Sequence, residues 1–353
     1  MKKFLVRSSA AAFVALVLGL SGCGGGGGGD ATPPPDGTTP PPTVSVAAAL
    51  AAAGAQAAND ASVNSTAGFS VLQQNGVAAV TVNSPPKINF AVFSDGKVVP
   101  SVALGSVSFA LAKLVPGSNG DPDKWVSYVY RTEVASPTVG PNGAPVLAQA
   151  LQATTDPKQS DATLAAGQLV YNPDGYYTYT FRTDIKDPAW TATSGTTKYS
   201  TNGVAYEPNR THRVAIQLSY KNAAGELIRV NPYFDFTIGA DGKSVASTAR
   251  KMVDIATCNN CHDKLALHGG GRVDTQYCVL CHNTGTTDAN SGNVLTLSTM
   301  VHKIHAGKLL HEQGENYVIW GNANSKHDYS EVGFPQPVRN CVACHDGSNP
   351  KTP

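Results

Sequence analysis

Six of the seven cysteines and eight of the nine histidines of this 353-residue chain fall between Cys258 and His345. They are ordered as Cys258-Asn-Asn-Cys261-His262, Cys278-Val-Leu-Cys281-His282 and Cys341-Val-Ala-Cys344-His345. Three chemistries use paired thiols. Zinc is one, because 16 residues separate the first two pairs, a zinc-ribbon spacing. That reading does not explain a His after every second Cys, and it leaves the third pair without a partner. Thiol–disulfide exchange is another, but it needs a thioredoxin-like βαβ context that the surrounding residues do not offer. Covalent haem attachment is the third. The two thiols become thioethers on the porphyrin edge, and the adjacent His is the side chain placed to reach the iron. All three motifs have that adjacency, so the expectation is three haem c groups. They would be attached through Cys258, Cys261, Cys278, Cys281, Cys341 and Cys344, with iron held by His262, His282 and His345.

Each iron then needs a second axial ligand. Met252 and Met300 are the only methionines beyond the first residue, so histidine is expected on both sides, which closes the iron to substrates and favours electron transfer. His302 and His305 lie three apart and would share one face of a helix, toward neighbouring haems. His268 precedes Gly269, Gly270 and Gly271, which could let a porphyrin approach the backbone. His268, His302 and His305 are therefore the distal candidates. His311 and His327, in a loop-like polar stretch, are reserves. His212 stands far upstream at the start of a strand pattern and reads as a hydrogen-bonded structural residue.

The rest of the chain must carry and deliver this region. Residues 1–22 have the basic start (Lys2, Lys3, Arg7), short apolar run and small-residue end of an export signal. The end, Leu20-Ser21-Gly22-Cys23, resembles a bacterial lipobox, which makes Cys23 the expected lipidation site and places the chain at the outer membrane. Residues 23–43, with six consecutive glycines and two Pro triplets, read as a tether. Export also suits covalent haem. The whole chain has 26 Lys and Arg against 25 Asp and Glu and is 41% hydrophobic, which speaks against a nucleic-acid binder and a multi-span membrane protein. Cleavage of the signal removes three cations and leaves 23 basic against 25 acidic residues, or −2.

Residues 44–245 show period-two alternation at Ile88/Phe90/Val92, Val107/Phe109/Leu111, Tyr177/Tyr179/Phe181, Val214/Ile216/Leu218 and Phe234/Phe236/Ile238. Turn signals such as Asp95-Gly96, Asp174-Gly175 and Asp241-Gly242 separate them. The expected fold is an antiparallel β domain, a Greek-key sandwich or small barrel, with long loops near 134–165 and 184–210. It is followed over 246–353 by a mostly irregular or α-helical multihaem domain. The aromatic strand 176–181 reads as sheet packing. The Ala-rich segment 47–58 is open between a short helix and tether.

Several runs resemble the outer-membrane multihaem c-type cytochromes of the OmcA/MtrC family: Lys-Leu-Ala-Leu-His-Gly-Gly-Gly-Arg at 264–272, Tyr-Cys-Val-Leu-Cys-His-Asn at 277–283, Thr-Thr-Asp at 286–288 and Val-His-Lys-Ile-His-Ala-Gly at 301–307. Upstream, 109–116, 177–181 and 211–214 are also similar to that family's β domain. The resemblance implies a cell-surface lipoprotein that takes electrons from a porin-embedded cytochrome conduit. It would pass them to ferric or other metal oxides, flavins or further cytochromes. It also implies a split-barrel domain before a five-haem domain, the pair repeated to ten haems. Here there are three motifs, with eight residues after His345, which reads as a truncated or partial form of the family's N-terminal part.

Two rival functions remain at this level. A haem enzyme, peroxidase or reductase, would need an open iron position. A non-redox surface binding lipoprotein would use the β domain and keep haem as structure.

Overall fold

The period-two segments become strands, and every strand pairing among the described residues is antiparallel. The computed structural model describes residues 44–56 and 61–345, so the signal segment 1–22, Cys23 and the tether 23–43 lie outside the described residues. In the largest sheet, Val107–Val115 (β5) is flanked by Lys124–Ser127 (β6) and His212–Lys221 (β13). Beyond β13 come Leu227–Val230 (β14), Tyr233–Ile238 (β15) and Ser244–Ala246 (β16). Strands distant in sequence are thus neighbours in space, a Greek-key-like order. A second sheet joins Val80–Thr81 (β1), Lys87–Phe90 (β2), Tyr176–Thr180 (β10) and Leu169–Asn172 (β9). Phe93–Ser94 (β3) and Lys97–Val98 (β4) form a hairpin whose Asp95-Gly96 turn has φ of 53° and 76° at its two residues, the left-handed pair a tight hairpin requires.

The aromatic alternation fills the core between these sheets. Phe109 stacks on Tyr179 at 3.9 Å between ring centroids, and Phe90 on Tyr177 at 5.3 Å, so 176–181 is packing and not an exposed platform. Each such fully buried ring contributes about 2 kcal/mol from burial alone. The other face of β5 and β13 is small: Ala110, Ala112 and Ala215 are also buried, beneath Tyr277, Leu280 and Cys281 of the second thiol motif. Alternation therefore encodes two buried faces, one aromatic and one of alanines that leave room for that motif.

Two helices were not both legible. Val46–Gln56 (α1) resolves the open reading of 47–58 as helix, with Leu50 buried. Ala61–Gln74 (α2) had no sequence signal that was read. It buries Phe69 on Phe234 at 5.6 Å and ties Gln73 to both the hydroxyl and the carbonyl of Ser244 at 2.7 Å. The expected long loops are shorter than supposed. Tyr130–Val134 (β7), Gln149–Ala153 (β8) and Ala162–Gln168 (α3) bound and interrupt the first. Thr191–Ser194 (β11) and Thr197–Ser200 (β12) form a hairpin in the second, and the four strands make one sheet. Polar Thr, Ser and Lys on these strands hid the pattern.

After β16 the structure turns to short helices: Ile255–His262 (α4), Thr275–Cys278 (α5), Leu297–His305 (α6) and Gly307–Glu312 (α7). Val318–Trp320 (β17) and Lys326–Asp328 (β18) add a hairpin. No described helix is long and apolar enough to cross a membrane.

Candidate haem sites

Each thiol motif is wound into a helical turn. Motif one lies within α4, whose N-terminus is capped by Asp254, its Oδ1 accepting from the Ala256 amide at 3.0 Å. Motif two starts in α5, capped in the same way by Asp274 from the Gln276 amide at 2.7 Å. In both, the Asp stands four residues before the first Cys and satisfies an orphan amide of the first turn. The shared Asp-x-x-x-Cys spacing is the sequence signal of this cap. Motif three forms a tight turn over Cys341–Ala343. In motifs two and three the His amide bonds the first Cys carbonyl at 2.9 Å, so the winding sets His282 and His345 one turn beyond Cys278 and Cys341.

The structure brings each motif histidine against one distal candidate. His262 lies beside His305 at 6.0 Å between ring centroids, His282 beside His268 at 5.9 Å, and His345 beside His302 at 6.3 Å. Two imidazoles bound through Nε2 to opposite sides of one metal, at about 2 Å each, have ring centroids roughly 6 Å apart. The donor set therefore fits a metal held between two histidines at all three places. The other ring nitrogen is engaged in several of them. Nδ1 pairs with the Leu295 carbonyl at 3.0 Å in His282, with that of Val301 at 2.8 Å in His305, and with that of Met252 at 3.2 Å in His345. An Nδ1 that donates to a carbonyl leaves Nε2 with its lone pair free for metal.

The elements that aim these rings are few. Helix α6 carries both His302 and His305, as the three-residue spacing predicts, and directs them to different motifs. The Leu297 amide at its start bonds the His282 carbonyl at 2.9 Å, which ties α6 to motif two. The Thr257 hydroxyl bonds the Cys344 carbonyl at 3.0 Å, which ties motif one to motif three. His268 sits at φ 52°, a left-handed conformation rarely held by a residue with a side chain. The Leu267 amide and carbonyl pair with those of Arg272 at 3.0 and 3.2 Å, closing a loop with His268 at its tip.

The glycines after His268 also serve the sheet beneath the loop. A Cβ on Gly271 would lie 2.6 Å from Gln217 Nε2 and one on Gly270 3.0 Å from Arg229 Nη1, so these two glycines let the loop seat on β13 and β14. Only Gly269 faces open space.

The remaining histidines go elsewhere. His311 is on α7, not in a loop, and its Nδ1 pairs with Asn316 Oδ1 at 2.8 Å. His327 is on β18 and pairs with the Ser325 hydroxyl at 3.0 Å. His212 is fully buried, with Nε2 2.9 Å from the Tyr128 hydroxyl, the structural role expected of it.

Thiol electrostatics weigh against disulfide exchange. Burial chiefly pushes the Cys258, Cys281 and Cys344 thiols up, and lifts Cys278 to about 12. Exchange needs the opposite, a depressed thiol. For the zinc-ribbon reading, no group of three or more His, Cys, Asp or Glu converges as a bare-metal site among the described residues.

Motif two is joined to the β sheet by Arg213, which is fully buried between the rings of Trp125 and Tyr233, 4.6 and 4.4 Å from their centroids. Its guanidinium donates to both Asp235 oxygens at 2.6 and 2.8 Å and to Gln276 Oε1 at 2.7 Å, two residues before Cys278. No sequence pattern marks this clamp.

Comparison with known proteins agrees with the motifs. Residues 250–353 match the family described as outer membrane cytochrome MtrC/MtrF-like, domains II/IV. The multiheme cytochrome MtrC of Shewanella baltica (strain OS185) is 26% identical over 300 residues, covering 76% of this chain and 39% of that protein. The crystal structure of the outer membrane decaheme cytochrome OmcA superposes with a TM-score of 0.56 at 26% identity, over 75% of this chain and 38% of OmcA. The chain thus spans about two fifths of the length of these relatives. Within that span, the chain is similar to the outer-membrane multihaem cytochromes MtrC and OmcA.

Proposed function

We propose that this chain is an extracellular electron-transfer cytochrome carrying three covalently bound haem c groups, each iron held by two histidines. The carrying observation is the set of three His–His pairs, each joining one motif histidine to one distal histidine at 5.9–6.3 Å. In this reading Cys258 and Cys261 attach the haem of His262 and His305, Cys278 and Cys281 that of His282 and His268, and Cys341 and Cys344 that of His345 and His302. Haem, when bound, supplies a one-electron iron couple. The protein's part is to orient the six imidazoles that would hold the three irons in pairs, and to hold the Nδ1 protons of His282, His305 and His345 on backbone carbonyls. Helix α6 sets two sites side by side and abuts the third, an arrangement suited to hopping between them.

Over 246–353 there are nine Lys or Arg and nine Asp or Glu, so ionised propionates make the loaded region acidic and favour cationic or metal-bearing acceptors. The reading extends to its surroundings: Cys23 lipid-anchors the chain to the outer membrane, facing outside. Electrons arrive from a porin–cytochrome conduit and leave to metal oxides, flavins or other cytochromes.

A denatured pyridine haemochrome spectrum with intact mass on the purified protein is expected to give three haems. The native spectrum should be low-spin and unchanged by cyanide. Zinc without covalent haem, or a high-spin signal that shifts with cyanide, would overturn the proposal.

A further inference from the structure

Two arginines surround the second site in a way that the first and third sites are not shown to share. Arg272 lies opposite Leu267 across the His268 loop, its Nε donates to Gln217 Oε1 at 3.2 Å, and its guanidinium stands 5.7 Å from the Tyr277 ring centroid. It is thus fixed between the distal His268 and the attachment Cys278. Arg131, on β7, is held by Gln152 Oε1 at 3.1 and 2.7 Å from Nε and Nη2. Gln152 Nε2 donates in turn to the Thr287 carbonyl at 3.4 Å, and the neighbouring Thr286 hydroxyl donates to the Cys281 carbonyl at 2.9 Å, which sets Arg131 beside motif two.

Two acidic groups lie nearby. Asp274 opposes Arg272 at Cys278, but Lys251 and Arg213 face Asp274 in turn. Glu133 lies near Arg131 and takes hydrogen bonds from Gln152 and the Ala289 amide. Motif two is also the one seated on the buried sheet face, against Ala110, Ala112, Trp125 and Ala215.

We infer that Arg272, assisted by Arg131, is a positioning residue for charge that raises the reduction potential of the haem bound at Cys278, Cys281, His282 and His268. A ferric bis-histidine iron carries one more positive charge than a ferrous one. A fixed cation held close by destabilises the ferric state and so favours the electron-holding form. Removing the cation lowers the potential whether its charge acts on the iron directly or through a propionate. This inference rests on the haem reading above.

The test is a redox titration of the purified haem-loaded protein, followed optically, for wild type, Arg272→Gln, Arg272→Lys, Arg131→Gln and His268→Ala. His268→Ala marks the second site by turning one iron high-spin. Arg272→Gln is expected to shift that site's reduction equilibrium about tenfold, or about 59 mV downward for one electron, and to leave the other two steps in place. Arg131→Gln, at an exposed strand position, should shift the same step by less, and Arg272→Lys should retain the wild-type value. Unmoved steps in both Gln variants, or a shift at a site not marked by His268→Ala, would overturn the inference. An equal shift in the Lys variant would also overturn it, since charge would not be the cause. Failure of the haem reading looks different: no covalent haem, or no low-spin iron in wild type.

Discussion

The same residue type carries opposite assignments in this chain, and the difference lies in surroundings. His212 is enclosed by Tyr128, Tyr206 and Phe236, with ring centroids 5.8, 5.9 and 5.4 Å away, and desolvation pushes its imidazole down to about 4. The unfolded chain takes up that proton near pH 6.5, so between about pH 6.5 and 4 the unfolded state binds more protons and stability falls as pH falls. The full effect is about 3 kcal/mol, reached near pH 4. Urea unfolding of wild type and His212→Gln between pH 4 and 7 should show a steeper acid loss in wild type, and parallel curves would contradict it. His268 lies at the surface, yet partial desolvation and then Arg272, His282 and Arg131 push it to a similar value. Sequence spacing identified the motif histidines, because Cys-x-x-Cys-His is a local pattern. It could not match His302 to His345 or His305 to His262, since those partners meet only through the tertiary path of α6. It did place His311 behind them as a reserve, and that side chain pairs with Asn316.

At the scale of elements, α6 and α7 meet at Ala306 and Gly307, and the joint fixes where His302 and His305 aim. Gly307 is buried, and a Cβ there would lie 1.8 Å from the Tyr329 carbonyl oxygen, a backbone atom that cannot swing aside. Gly307→Ala must therefore push the chain after β18 away from α7. A loss of about 1–3 kcal/mol in denaturant unfolding is expected and, under the proposed function, altered low-spin signals from the two irons that His302 and His305 would hold. Unchanged stability and spectra would show that the joint yields at no cost. The glycine was visible as the end of Val-His-Lys-Ile-His-Ala-Gly, but the backbone crossing it was not. Period-two strands such as β5, β10 and β13 were legible because burial follows their alternation. Helix α2 was not, since Ser, Asn, Thr and Gly dominate its sequence and its place is set by packing on the sheet. The alanines on the second face of β5 and β13 were a readable sign of a second buried layer, and the meaning of that sign came only with Tyr277 and Leu280 above it.

In the described part of the unit that begins at Val44, the β sheets and the region of the thiol motifs share a buried cluster and the Arg213 clamp. Asp235 is the anion of that clamp, and it also accepts from the Ala249 amide at 3.0 Å, at the point where the chain leaves the sheets. Asp235→Ala leaves a buried guanidinium between Trp125 and Tyr233 with no carboxylate to balance it. Breaking a buried pair from one side costs about 3–5 kcal/mol, whereas replacing both partners by apolar residues of similar volume is often close to neutral. The double variant Arg213→Met/Asp235→Ala should therefore recover part of the loss. Because Arg213 holds Gln276 two residues ahead of Cys278, the damage cannot stay in the sheet. Tryptophan fluorescence and haem absorbance should report one coincident unfolding transition in wild type, shifted to lower denaturant in Asp235→Ala and partly restored in the double variant. Two separate transitions, or a haem signal indifferent to Asp235→Ala, would mean that the β sheets carry the second site without stabilising it.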